Sequence, residues 1–137
     1  MSQIILDDQL FDVEVLIPLA RGVTVQRLRD LRPGEVIKDE RVPVLLRQLR
    51  QPTFVTIDMG FWSPDLRDPR YCILCFPLRN NEQQLLPGLL RRLFQLPAFS
   101  TKAARMGKVA RVSLSHVEYW QTGEDQAQRL VWPEPWG

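Results

Sequence analysis

Histidine occurs once, at position 116, and cysteine twice, at 72 and 75. A structural zinc site takes four ligands, so these three residues cannot supply one from a single chain. The seven glycines are scattered and nowhere form the phosphate-cradling loop of a nucleotide hydrolase. No Ser/His/Asp pattern of a serine hydrolase is recognisable. No apolar run approaches the ~20 residues that cross a bilayer, so no membrane partner is expected. The start, MSQIILDDQLFD, reaches acid too early for a secretory leader. A cytoplasmic location is the expectation. Repeats and low-complexity segments are absent. What remains is ordinary for a globular protein: 137 residues, 45% hydrophobic and 25% charged. That is one domain's worth of chain. We expect an α/β domain over residues 1–120 and a tail, 121–137, that packs on the domain or on a partner.

Net charge is only +2, but its sign is uneven. Residues 1–40 carry eight acids and five bases, residues 41–120 five acids and twelve bases. An acidic start beside a basic middle suits a carboxylate-lined site next to a polyanion-binding surface. The two cysteines fall in YCILCF, which reads as a strand. Residues three apart on a strand point to opposite faces, so they read as small core hydrophobes rather than a redox pair.

Four apolar runs predict strands: 3–6, 23–28, 53–57 and 71–76. Residues 108–120 alternate apolar and polar and predict one half-exposed strand. Helices are expected over 10–21, interrupted by Pro18, over 40–50 behind an Asp39 cap, and from Asn80 or Asn81 through Leu96 with a kink at Pro87-Gly88. Residues 98–107 read as a mobile loop. The order β-α-β-α-β-β-α-β favours a mainly parallel sheet with helices on both faces.

Two of these strands end in acid: QIIL in Asp7-Asp8 and TFVTI in Asp58. Ligands in open α/β sheets bind beyond the carboxyl ends of the strands. If the two strands are neighbours, the acids converge, and Glu40 at the start of the intervening helix can reach the same mouth. Such a cluster repels itself unless it holds a cation or a proton, and hard oxygen ligands suit Mg2+ or Mn2+.

The order of these pieces resembles the PIN-like nuclease domain, in its small prokaryotic branch related to VapC-type toxins. The resemblance rests on Leu6-Asp7-Asp8-Gln9-Leu10 after the first strand, on Asp39-Glu40 at the second helix, and on Val55-Thr56-Ile57-Asp58 with the following Phe61. It covers about residues 3–120. It implies a three-layer α/β/α fold with a mostly parallel central sheet. It also implies that Asp7, Glu40 and Asp58 are metal-binding catalytic acids with Asp8 accessory, and that RNA phosphodiesters are cleaved with Mg2+ or Mn2+. An antitoxin partner is implied too. Gly60 stands where the branch often carries another acid. The alternative is therefore a catalytically inactive PIN-like module that binds a protein or nucleic acid.

Arg67, Arg70 and Arg79 flank the fourth predicted strand, and Lys102, Arg105, Lys108 and Arg111 form a spaced basic run. These are the candidate RNA-phosphate contacts. Phe61 and Trp62 are candidates for base stacking, against the plainer reading that Trp62 packs under its own loop. His116 reads as a surface strand residue. Leu85, Leu86, Leu89, Leu90, Leu93, Phe94 and Leu96 give the last helix an apolar surface wider than one stripe, and Trp132 and Trp136 add more. A homodimer through this surface is expected, unless the tail folds back over the helix.

Overall fold

A computed structural model describes residues 3–133. Its strands are β1 (Gln3–Leu6), β2 (Thr24–Arg27), β3 (Pro52–Thr56), β4 (Cys72–Cys75), β5 (Lys108–Val112), β6 (His116–Gln121) and β7 (Gln128–Val131). They form one seven-stranded sheet in the order β2-β1-β3-β4-β5-β6-β7. The first five are parallel and the last two antiparallel. β1 and β3 are direct neighbours, with Leu6 opposite Val55. The fold is α/β, and the sheet is mostly parallel.

The sheet's two faces bury separate cores. On one face Ile4, Leu6, Val55, Cys72 and Leu74 pack against Val15 and Leu19 from the first helical segment and Leu86, Leu89, Leu90 and Leu93 from the last. On the other face Ile5, Phe54, Ile73 and Cys75 meet Val42 and Leu46 of the middle helix, together with Phe61 and Tyr71. Continuous apolar runs such as QIIL and CILC follow from this, because both faces of a central parallel strand are covered.

The cysteines divide between the two cores, as a strand spacing of three requires. Both thiols are free and fully buried. Burial pushes the Cys72 thiol up to about 12 and raises Cys75 as well. Neither thiol should react with a disulfide reagent at pH 8 until denaturant is added. Labelling of the native protein within minutes would show that the sheet opens locally.

Proline explains why the helices are shorter than their apolar periodicity suggests. The α-helices are α1 (Ile17–Ala20), α2 (Val42–Gln48), α3 (Leu86–Leu93) and α4 (Lys102–Arg105). Pro18, Pro43 and Pro87 each sit in the first turn of one of the first three. Proline lacks the N–H that such a turn leaves unused, so it starts a helix there without cost. The chain before each takes a different winding: a π-turn at Asp12–Leu16, and 3-10 turns at Asp39–Arg41 and Asn80–Leu85. Pro87 therefore separates two segments rather than kinking one.

Two further expectations change. The segment read as a mobile loop is built: Thr101 caps α4 by accepting the Ala104 N–H at 3.0 Å, while Phe99 and Arg105 are buried. The single strand expected over 108–120 is a hairpin, with β5 and β6 joined through Ser113–Ser115. β7, from the tail, pairs with β6 and extends the sheet. Trp132 is buried, donates its indole N–H to the Ser113 carbonyl at 2.8 Å, and lies under the Arg92 guanidinium. Leu86, Leu89, Leu90 and Leu93 are likewise buried within the one chain, and Leu85 is the exposed member of that set. The apolar breadth that suggested a dimer is thus largely covered internally. Trp136 lies outside the described residues.

Candidate functional site

In a sheet of order 2-1-3-4-5 the successive crossovers diverge on either side of β1 and β3, which leaves a crevice at their carboxyl ends. Asp7 is the first residue past β1 and Asp58 the second past β3, so both acids sit at that crevice. The Asp7 backbone N–H donates to the Val55 carbonyl at 2.9 Å, which extends the β1–β3 ladder to the acid itself. Its position is therefore fixed by the sheet and not by a loop.

Thr56, fully buried at the end of β3, joins the Asp7 carboxylate to the backbone of Asp58. Its hydroxyl donates to Asp7 Oδ2 at 2.6 Å and accepts the Asp58 backbone N–H at 2.9 Å. Asp7 Oδ1 accepts the Asp8 N–H at 2.8 Å. Each Asp7 oxygen spends one lone pair on these bonds and keeps another for a ligand. Asp58 Oδ1 accepts the Gly60 N–H at 2.8 Å, which closes the turn at Met59–Phe61. A Cβ on Gly60 would stand 3.0 Å from Asp58 Oδ1. A side chain at position 60 would therefore press on the Asp58 carboxylate, which would have to give by a few tenths of an ångström.

Partial burial raises the Asp7 carboxyl above its ordinary 3.8; the bonds from Thr56 and Asp8 oppose this, and the charges of Asp8 and Asp39 reinforce it. Asp39, in the turn before the second helix, is among the charges that reach Asp7; Glu40 is exposed in the same turn, Asp39–Arg41. Asp8 is turned to another task, with its Oδ1 taking the Arg29 backbone N–H at 3.0 Å and facing the Arg29 guanidinium at 3.4 Å. Asp7 and Asp58 both also act on the Cys75 thiol at the end of β4, which places the two charges over the same part of the sheet.

The raised carboxyl has a consequence for stability. Above pH 3.8 the unfolded chain loses the Asp7 proton first, so the folded state holds more protons until the raised value is passed. Asp7 therefore costs stability as pH rises through that window. Urea melts taken at increasing pH from 3.8 should show Asp7→Asn gaining on the wild type as pH rises. Parallel curves would mean that the carboxyl is not perturbed.

The basic residues are divided by the sheet's polarity. Arg67 and Arg70 precede β4, and Lys102, Arg105 and Lys108 lead into β5. Because β1 to β5 are parallel, these five lie at the amino end of the sheet. A strand length of roughly 13–17 Å separates that edge from the acids. Several are also engaged in the fold. Arg67 donates to the Pro64, Gln121 and Glu124 carbonyls and lies over Trp120. Arg70 holds Asp68 at 3.1 Å. Lys108 donates to the Ala104 carbonyl. Arg105 is 1% exposed, so it is a core side chain and not a nucleic-acid contact.

Near the acids' edge the predicted set has Arg111, in register with Cys75 at the end of β4, and Arg79, past the end of β4. The Arg79 side chain is 85% exposed, with Glu82 3.8 Å away. Arg29, past β2, joins them there. Sequence reasoning missed Arg29, although its place directly after a strand was the signal. Trp62 packs on Trp120 with ring centres 6.1 Å apart, and Phe61 is buried against Phe54. The packing reading of these aromatics is the one the structure supports. His116 is held between Ser115 Oγ at 2.7 Å and Glu118 Oε1 at 2.6 Å on the β5–β6 hairpin.

No family model, curated protein or solved structure matches the chain. Whether the site suits a metal must therefore be judged from its donors. Among the described residues no group of three or more His, Cys, Asp or Glu side chains is placed to hold a metal ion. Asp7 and Asp58 are the acids that follow the two neighbouring strands at the crevice. Mg2+ characteristically takes one or two carboxylates and completes its shell with water and substrate phosphate. A partly desolvated carboxylate with like-charged neighbours is also a site where a divalent cation relieves a cost. The donor chemistry fits.

Proposed function

We propose that the protein is a metal-dependent ribonuclease of PIN-like kind, hydrolysing RNA phosphodiesters at the carboxyl edge of its sheet. The observation that carries this is the Asp7–Thr56–Asp58 linkage at the β1/β3 crevice. Asp7 and Asp58 would hold Mg2+ or Mn2+, with Asp39 across the mouth adding negative potential. When bound, the ion supplies an activated water and neutralises charge developing on the phosphate. The chain's own part is positional. Thr56 and the Asp8 N–H fix both Asp7 oxygens, the Gly60 N–H fixes Asp58, and Arg79 and Arg29 offer guanidinium groups to flanking phosphates. If this activity is that of a toxin, its natural partner is a protein antitoxin that blocks the same edge. The proposal needs no second copy of the chain.

A second reading is a non-catalytic module that binds RNA or protein through the same edge. It is favoured by the absence, among the described residues, of three acids grouped to hold an ion. A labelled single-stranded RNA, incubated with the protein in Mg2+, in Mn2+ and in chelator, separates the two. The nuclease reading expects cleavage that needs the metal and disappears in Asp58→Ala. Binding without cleavage in either metal would establish the module instead.

A further inference from the structure

At the other end of the molecule, where α1 runs out toward β2, lies a cavity of about 360 Å3. Its walls are Leu19, Val23, Leu90 and Phe94, with Gly22 between them and Arg21 and Arg91 at its edge. Residues 19–23 lead into the start of β2, whereas Asp7 and Asp58 follow strand ends, so this cavity and the carboxylate crevice lie at opposite edges of the sheet. Three features define what it can take. The first is apolar walls set by core residues: Leu19 and Leu90 are 4% and 1% exposed, so their positions are held by packing. The second is charge of one sign, since no acid lines the cavity. The third is that neither arginine is neutralised. Among the described residues neither belongs to an ion pair, and Arg91 donates only to the neutral Pro18 carbonyl, at 3.0 Å.

Small-molecule sites combine apolar walls with a few polar groups that fix orientation, in volumes of roughly 300–1,000 Å3. This cavity lies at the small end of that range and its polar groups are both guanidinium, which pair best with planar anions. We propose that it binds a free medium-chain monocarboxylate of roughly six to ten carbons, a size suited to a small site of this class. The acyl chain would lie against Leu19, Val23, Leu90 and Phe94, with the carboxylate on Arg21 and Arg91.

Gly22 provides a direct test. A Cβ built there meets nothing within 4 Å, and its backbone is not in the left-handed region. Gly22→Leu therefore adds a side chain at the cavity's lining without straining the fold. Calorimetric titration of the full chain with hexanoate, octanoate and octan-1-ol is the measurement. Octanoate should bind once per chain, about fourfold tighter for each CH2 added to hexanoate. Octanol should bind at least about tenfold more weakly, having no charge for the arginines. Gly22→Leu should abolish binding, and Arg21→Gln with Arg91→Gln should reduce octanoate to the level of the alcohol. Circular dichroism checks that each variant folds, and should Gly22→Leu fail, the double arginine variant decides. Absence of saturable octanoate binding up to ~10 mM, equal binding of acid and alcohol, or unchanged binding in folded Gly22→Leu would each overturn the proposal.

Discussion

Asp7→Asn should reduce metal-dependent RNA cleavage by ~100-fold or more, the scale seen when a charged or polar group that stabilises developing charge is removed. Asp58→Asn should do the same. The two substitutions are nearly isosteric, and the fold should survive both. In Asp58→Asn the amide oxygen can still accept the Gly60 N–H that closes the turn. In Asp7→Asn one of the two bonds, from Thr56 or from the Asp8 N–H, is weakened, which costs about 1 kcal/mol. Against that stands relief from desolvating a charge and from the repulsion of Asp8 and Asp39. The opposing effects should leave stability at pH 7 within about 1 kcal/mol of wild type. Cleavage assays beside denaturant melts distinguish loss of chemistry from loss of fold. Full cleavage by both variants would remove the carboxylate pair from the mechanism.

That pair was legible in the sequence because two simple signals coincide. A continuous apolar run of four or five residues marks a strand buried on both faces, and an acid directly after it marks the carboxyl edge. QIIL-Asp7 and TFVTI-Asp58 carry both signals, and the β1–β3 pairing places them together. The parallel sheet and the opposed faces of Cys72 and Cys75 follow from the same strand geometry. What stayed hidden depends on relations that no local window contains. The turn between β5 and β6 is Ser-Leu-Ser, without glycine, proline or asparagine, so alternation runs through both strands as though they were one. The helix α4 has four residues, too few to show a period. Asp39 and Glu40 are adjacent in a 3-10 turn, and the charge of Asp39 acts on Asp7, a relation that the linear sequence does not show.

Most of the predicted basic residues lie away from the acids for a topological reason. Their spacing in sequence says nothing about which edge of the sheet they reach. Once β4 and β5 are known to run parallel to β1 and β3, residues that precede them must lie away from Asp7 and Asp58. Any RNA path across the crevice then meets Arg79 and Arg29 first. The sequence's charge asymmetry is real, but a large part of the basic middle serves to hold the amino edge of the sheet together.

Arg105 shows this most clearly, and its replacement should have a large effect on stability with none on RNA affinity. Its Nη1 donates to the Phe99 carbonyl at 2.9 Å and its Nε to Thr53 Oγ1 at 3.3 Å. The guanidinium stacks over Phe94 with 4.1 Å to the ring centre. It therefore ties the chain after α3 to the start of β3, within a core where burial works against its own charge. Arg105→Ala removes these contacts and leaves a void and an orphaned carbonyl, a loss of roughly 2–4 kcal/mol. For a chain of this length that lowers the melting temperature by roughly 6–16 °C. Arg105→Lys separates a core role from a surface one. Lysine would serve nearly as well for contacting phosphate at a surface, but its point charge reproduces neither the planar stack nor the two-site bonding. It should recover less than half of the stability lost in Arg105→Ala. RNA affinity, measured well below both melting temperatures, should match the wild type in both variants. A melting temperature unchanged in Arg105→Ala, with RNA binding weakened in proportion to charge, would return Arg105 to the surface.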